Sequence, residues 1–128
     1  TFSGDGEDRR REAAEAAFDA FPRLQLIAST ARHLVTSDHH RIAARVDSRA
    51  AAHQTDEIDV TGIVERIGTG DAFAAGVLHA WLKGGGERAM AESGLALTAL
   101  KHTIPGDMCL INRATLESFT ASGGDVRR

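Results

Sequence analysis

The sequence predicts an α/β fold, and three observations carry that prediction. Segments with apolar residues at helical spacing alternate with short strand-like runs. One such run passes through a glycine-flanked turn straight into an apolar helix, the order that a phosphate site needs. Strong breakers, Pro22, Gly84 to Gly86, Pro105 and Gly106, separate the segments.

Taken in order, residues 3–8 are polar and glycine-punctuated, and a helix over 7–21 places Ala14, Ala17, Phe18 and Phe21 on one inward stripe. Arg9, Arg10 and Arg11 read as its solvated face, with Glu partners at helical spacing. Pro22 ends it. Residues 24–29 form a compact apolar strand, and 31–36 with 41–46 pair across a turn at 37–40, giving a hairpin at the sheet margin. Residues 50–56 read as loop and 57–64, with Ile58 and Val60, as a strand. The helix over 71–82 is expected to bury Phe73, Val77, Leu78 and Trp81 before the triple glycine stops it. A second helix spans 87–101, where Ser93 and Gly94 allow close approach to a neighbour. Asn112 caps a last helix over 113–121, and the tail from Ser122 reads as frayed.

A chain of 128 residues holds one domain with a real core, since domains near this size bury over ~65% of their unfolded surface. With 15 basic and 18 acidic residues the net charge is −3, so nothing calls for nucleic acid. No apolar run approaches the ~20 residues of a membrane span, and no secretory signal is present, so a cytoplasmic location is expected. Cys109 is alone, which excludes an internal disulfide and a cysteine-based zinc cage. The six histidines lack ligand spacing, and no metal site is expected from them.

The segment carrying most chemistry is Glu-Arg-Ile-Gly-Thr-Gly-Asp-Ala-Phe-Ala-Ala-Gly, residues 65–76. Gly68 and Gly70 permit positive φ and close backbone approach, so the amides of Gly68, Thr69, Gly70 and Asp71 can converge on an anion. These are also the first donors of the next helix, where the dipole favours negative charge. By spacing alone Asp71 reads first as a helix cap. With a substrate hydroxyl in reach, its ionised carboxylate is also placed to act as a general base.

The longer string resembles the signature of ribokinase-like (PfkB-type) carbohydrate kinases, Asp-Thr-x-Gly-Ala-Gly-Asp-x-Phe-x-x-Gly. Residues 100–107, Leu-Lys-His-Thr-Ile-Pro-Gly-Asp, and the stretch 13–52 are similar to 2-keto-3-deoxygluconate kinases. This resemblance implies a three-layer α/β/α sandwich, here its C-terminal nucleotide-binding and catalytic portion. It implies transfer of the γ-phosphate of ATP, with Mg2+ bridging the nucleotide, to the primary hydroxyl of the sugar acid. It makes Asp71 the base, Gly68, Thr69 and Gly70 the anion hole, and Ser93, Gly94 and His102 nucleotide neighbours. Glu65 and Arg66 replace the usual Asp-Thr, and Thr69 the usual Ala, so no monovalent-cation site is carried over.

The chain begins at Thr1, and the family's N-terminal sugar-binding half and lid are not found in it. A fragment is therefore expected, weak or inactive alone because such catalysis works by positioning. The expected partners are the sugar acid and ATP, with a homo-oligomer open. Alternatives are a kinase for another sugar such as fructose or ribose, and a non-catalytic phosphate-binding or assembly module. A dinucleotide dehydrogenase ranks last, because the third fingerprint glycine is missing.

Overall fold

The computed structural model describes residues 6–121. The sequence expectations for the tail from Ser122 and for residues 3–5 lie outside them. The elements are α1 (Gly6–Ala20), β1 (Leu26–Thr36), β2 (His39–Ser48), β3 (Ala52–Gln54), β4 (Ile58–Thr61), α2 (Thr69–Leu82), α3 (Glu87–Lys101) and α4 (Arg113–Ala121). All strand pairings are antiparallel. β2 pairs with β1 along one edge, and with β3 and β4 along the other.

The layers follow from the side-chain alternation of β2. Ile42, Ala44 and Val46 point to one face and join Val60 in the main core with Phe73, Val77, Met90, Leu95 and Leu97 of α2 and α3. Ala43, Arg45 and Asp47 point to the other face, where Ala13, Ala14 and Ala17 of α1 lie over Ile27, Ser29, Arg45 and Asp47. The result is helix, sheet, helix, with α2 and α4 backing α3.

On the α1 side the buried Arg45 guanidinium donates to both Asp47 oxygens, at 2.8 and 3.0 Å. Arg11 is not simply solvated as its sequence context suggested. Its Nη1 donates to Asp47 Oδ1 (3.3 Å) and Ser48 O (2.9 Å), clamping α1 to the end of β2, while Nε keeps the expected helical pair with Glu15.

Helix ends obey local chemistry. Lys83 is the C-cap of α2, Gly84 takes φ +80°, and its amide and that of Gly85 donate back to Trp81 O and Ala80 O, both at 2.9 Å, closing a Schellman motif. Asn112 Oδ1 accepts from Thr115 N at 2.9 Å and so caps α4.

Several expectations are corrected. β1 is one strand rather than two, because it pairs without a break with β2 from Leu26 to Leu34. The segment expected as loop holds β3, a three-residue strand made by pairing with Arg45 to Asp47. Phe21, Leu78 and Trp81, expected inside, are exposed. Phe21 lies past the end of α1. Leu78 and Trp81 share with Ala74, Ala75 and Leu82 an exposed apolar face of α2, opposite the face that packs on α3.

The α2 and α3 backbones cross closely. A Cβ on Gly76 would lie 2.5 Å from Ser93 O and 2.8 Å from Gly94 Cα, and one on Gly94 would lie 2.7 Å from Phe73 and Val77 side-chain carbons. Gly76→Ala is expected to destabilise the chain by about 2 kcal/mol despite the better helix propensity of alanine, since a backbone carbonyl cannot rotate away. Urea unfolding checks this. An unchanged or raised midpoint contradicts the crossing.

Candidate active site

The turn before α2 is shaped by three local restraints. Val64 and Glu65 amides donate to His102 O (2.9 and 3.3 Å), tying the strand exit to the end of α3. Glu65 Oε1 then accepts from the amides of Arg66 (3.0 Å) and Ile67 (3.2 Å). Thr69, buried, donates from Oγ1 to Arg66 O at 2.8 Å. Gly68, at φ +82°, is the N-cap of α2, and the first helical bond runs from Ala72 N to Gly68 O.

These restraints leave donors free. Among the described residues, the amides of Gly68, Gly70 and Asp71 have no hydrogen-bond partner, whereas that of Thr69 makes a 3.3 Å bond to Arg66 O. Nothing lies within 4 Å of where a Gly70 Cβ would sit. Asp71 is the third residue of α2, exposed, and makes no side-chain capping bond. The cap that its spacing suggested is supplied by Gly68 instead. Unpaired amides, a helix start and one exposed carboxylate thus meet at the turn, an arrangement suited to an anion and to proton acceptance beside it.

The wall of the turn is the segment 102–107. A Cβ at Gly68 would collide with the Asp107 carbonyl, so only glycine permits this contact. Lys101 holds the loop in place. It is fully buried, and Nζ donates to Ile104 O (3.0 Å) and Gly106 O (2.6 Å).

His102 is also fully buried. Its Nδ1 donates to Thr98 O at 2.6 Å, and its Nε2 accepts from Arg32 Nη2 at 2.9 Å. Arg32 Nη1 donates to His40 Nδ1. Because a guanidinium only donates, both facing imidazole nitrogens are unprotonated and both rings neutral. Burial pushes the His102 pKa down to about 4, with Arg32 adding to the effect and the Thr98 carbonyl opposing it. Burial and then Arg32 likewise lower that of His40.

The structure brings Gly68, Thr69, Gly70 and Asp71 together. His102 joins them only through the interior: Thr98 Oγ1 donates to Thr69 O at 2.8 Å, and Thr98 O receives the His102 proton. Both ring nitrogens of His102 are occupied by protein. Gly94 is packed under Phe73 and Val77. Ser93 lies toward the far end of α2, lining a cleft of about 570 Å³ with His79, Lys83, Glu92 and Leu116, and its buried Oγ has no partner. Sequence reasoning missed Arg32, Thr98 and Lys101. The first two lie in apolar runs without a motif, and Lys101 resembles any basic residue at a helix end. Among the described residues no group of three or more His, Cys, Asp or Glu is arranged to hold a metal ion, and no helix is long and apolar enough to cross a membrane.

No family model and no curated protein matches the chain. Solved structures do. A PfkB family carbohydrate kinase from Listeria grayi superposes with a TM-score of 0.81 at 28% identity, over 94% of this chain and 36% of that one. A 2-dehydro-3-deoxygluconokinase from Thermotoga maritima superposes with a TM-score of 0.84 at 24% identity, over 94% of this chain and 37% of that one. The fold is that of the PfkB carbohydrate kinases. This chain spans little more than a third of their length, which agrees with the C-terminal portion that its motifs imply. The antiparallel sheet and its flanking helices are thus a part of the ribokinase-like sandwich.

Two predictions come from the geometry of this turn. Gly70→Ala is expected to leave the melting temperature unchanged or slightly raised, since its Cβ meets nothing and helix propensity improves, yet to obstruct an anion at the amides. Gly68→Ala, at positive φ and against Asp107, should cost about 2 kcal/mol or more. Thermal melts combined with phosphate titration separate the two variants. The second prediction concerns pH. The folded pKa of His102 lies below its unfolded value, so the stability it contributes is present above pH 6.5 and lost as pH falls toward about 4. The loss is on the order of 3 kcal/mol. Urea midpoints that stay flat over this window contradict a neutral buried ring.

Proposed function

We propose that this chain carries the phosphoryl-transfer centre of an ATP-dependent sugar kinase acting on 2-keto-3-deoxygluconate. One observation carries the reading: amides of Gly68, Gly70 and Asp71 stand unpaired at a helix start, beside an exposed carboxylate and open space. In the mechanism, the primary hydroxyl of the sugar acid attacks the γ-phosphorus of ATP. Its proton passes to Asp71, the new O–P bond forms, and the bond to the β-phosphate oxygen breaks, leaving ADP and the 6-phosphate. The amides and the α2 dipole stabilise charge on the equatorial oxygens. Magnesium would arrive with the nucleotide and neutralise its phosphates. Ser93 and Gly94 are proposed near the nucleotide and His102 as a support of the turn.

The choice of sugar acid rests on the Leu-Lys-His-Thr-Ile-Pro-Gly-Asp resemblance. The geometry gives that string a local purpose, since Lys101 and His102 anchor the loop that walls the cradle. Another ketose or aldose is the near alternative. A non-catalytic assembly module is the second reading, favoured by the exposed Leu78, Trp81 and Leu82 on α2 and by the edge of β1 that pairs with no other described strand.

An ATP-coupled assay with 2-keto-3-deoxygluconate tests the proposal together with Asp71→Asn. The 128 residues alone are expected to bind ATP weakly and to turn over poorly. Asp71→Asn should leave nucleotide affinity within twofold and remove whatever transfer is present. A chain that binds neither ATP nor ADP, yet self-associates, favours the assembly module.

A further inference from the structure

Beside the cradle lies a positive cluster that the phosphoryl-transfer reading does not use. Arg32 projects from β1 on the same face as Ile42, its cross-strand partner, toward the end of α3. Among the described residues its guanidinium bonds only to two neutral imidazoles, His40 and His102. Two of the five guanidinium N–H groups are used in this way, and the others have no partner among the described residues. Arg66 stands in the turn itself, two residues before Gly68. It is exposed, and its guanidinium makes no hydrogen bond or ion pair with the described residues. His102 brings the two arginines to one place, its Nε2 accepting from Arg32 and its carbonyl accepting from the amide of Glu65, the residue before Arg66; burial and then the charge of Arg66 lower the pKa of Arg32.

Like charges held together without an acid between them are costly, and proteins ordinarily place a carboxylate there. Two nearby acids are committed elsewhere, and neither Asp71 nor Asp107, which stand at the same turn, bonds to either arginine. Glu65 accepts from the Arg66 and Ile67 amides, and Asp59 pairs with His39 (2.8 Å) and Arg41 (3.5 Å). Arg32 is moreover held rigidly. The bonds from Arg32 to His102, His102 to Thr98 and Thr98 to Thr69 form an unbroken path to the first residue of α2.

We propose that Arg32 and Arg66 form an oxyanion-recognition pair adjoining the Gly68 to Asp71 cradle, which fixes a second acidic group of the bound reactants. The proposal rests on the cradle reading and extends it. The group is a phosphate or a carboxylate, and it has two sources: the outer phosphates of the nucleotide or the carboxylate of a sugar acid. Planar guanidinium forks suit either, binding two oxygens at once. Arg32, buttressed by imidazoles that cannot neutralise it, is the fixed partner, and exposed Arg66 the adaptable one.

The test titrates inorganic pyrophosphate and, separately, gluconate into the 15N-labelled chain, following the Arg Nε–H and glycine amide signals. Removing Arg32 would strip both histidines of their donor and endanger the fold, so Arg32 is read through its own Nε–H signal, and the variant is Arg66→Gln. Expected results are movement of both arginine signals and about tenfold weaker binding in Arg66→Gln, with an unchanged melting temperature. Movement with pyrophosphate assigns the pair to the nucleotide, and movement with gluconate alone assigns it to the sugar acid. The pair is overturned if neither probe moves the arginines, or if Arg66→Gln binds both probes as tightly as the parent. Gly70→Ala separates the two ideas. Glycine amides that respond while the arginines stay still sink this pair and spare the cradle, whereas responding arginines with silent amides sink the cradle.

Discussion

The close crossing of α2 and α3 is the constraint on which the rest depends. Gly76 meets Ser93 O and Gly94 Cα, and Gly94 in turn receives Phe73 and Val77, so the two backbones approach as near as side chains permit. Each helical glycine costs about 1 kcal/mol of propensity relative to alanine. That cost is offset by close packing in the shared core. Its consequence is positional: α2 can neither slide nor rotate on α3, so its first turn points in one direction. The bond from Thr98 to Thr69 O then fixes the start of α2 against the last turns of α3. An anion site made of backbone amides has no side chains to adjust, so its aim must come from the axis of its helix.

The other wall of the site solves a different problem, that of burying cations and imidazoles without carboxylates. The Lys101 ammonium sits at the C-terminal end of α3, where the dipole favours positive charge, and takes two loop carbonyls as acceptors. His102 and His40 stay neutral because the donor facing them cannot give up its proton. Both arrangements anchor the loop and the strand exit from behind. Neither brings an acid toward the turn, and so neither offsets the positive end of the α2 dipole at the free amides. A carboxylate partner for Lys101 or Arg32 would have stabilised the same contacts while cancelling that field.

Features that depend on neighbours in the chain were legible in the sequence. The glycine turn, the bounds of α3, the Asn112 cap and the stop at Gly84 all follow from residues within a few positions of one another. Features that depend on a distant partner were not. α2 is apolar around most of its circumference, so its period names no inward face, and Leu78 and Trp81 were assigned to the wrong one. β3 has three residues and no alternation of its own; pairing with β2 alone makes it a strand. Arg11 looked like part of a solvated run because its acceptors, Asp47 and Ser48, lie some 36 residues away. The role of Asp71 shows the same limit. Its spacing pointed to a cap, and only the position of Gly68 frees its carboxylate from that duty.

These restraints also separate two parts of catalysis that are usually found together. Everything that shapes the turn, from Glu65 and Thr98 to Lys101 and the Asp107 carbonyl, lies within the described residues. On the proposed function, recognition of a phosphoryl group would therefore be a local property of this piece of the fold. Orientation of an attacking hydroxyl is not, because that needs a second surface facing Asp71, and no described residue touches its carboxylate through a hydrogen bond or ion pair. In-line transfer gains most of its rate from positioning, and an effective molarity collapses when one reactant is held and the other is free. On the proposed function, a cradle whose carboxylate faces no described partner would bind an anion by itself, while transfer would depend on a surface that holds the alcohol.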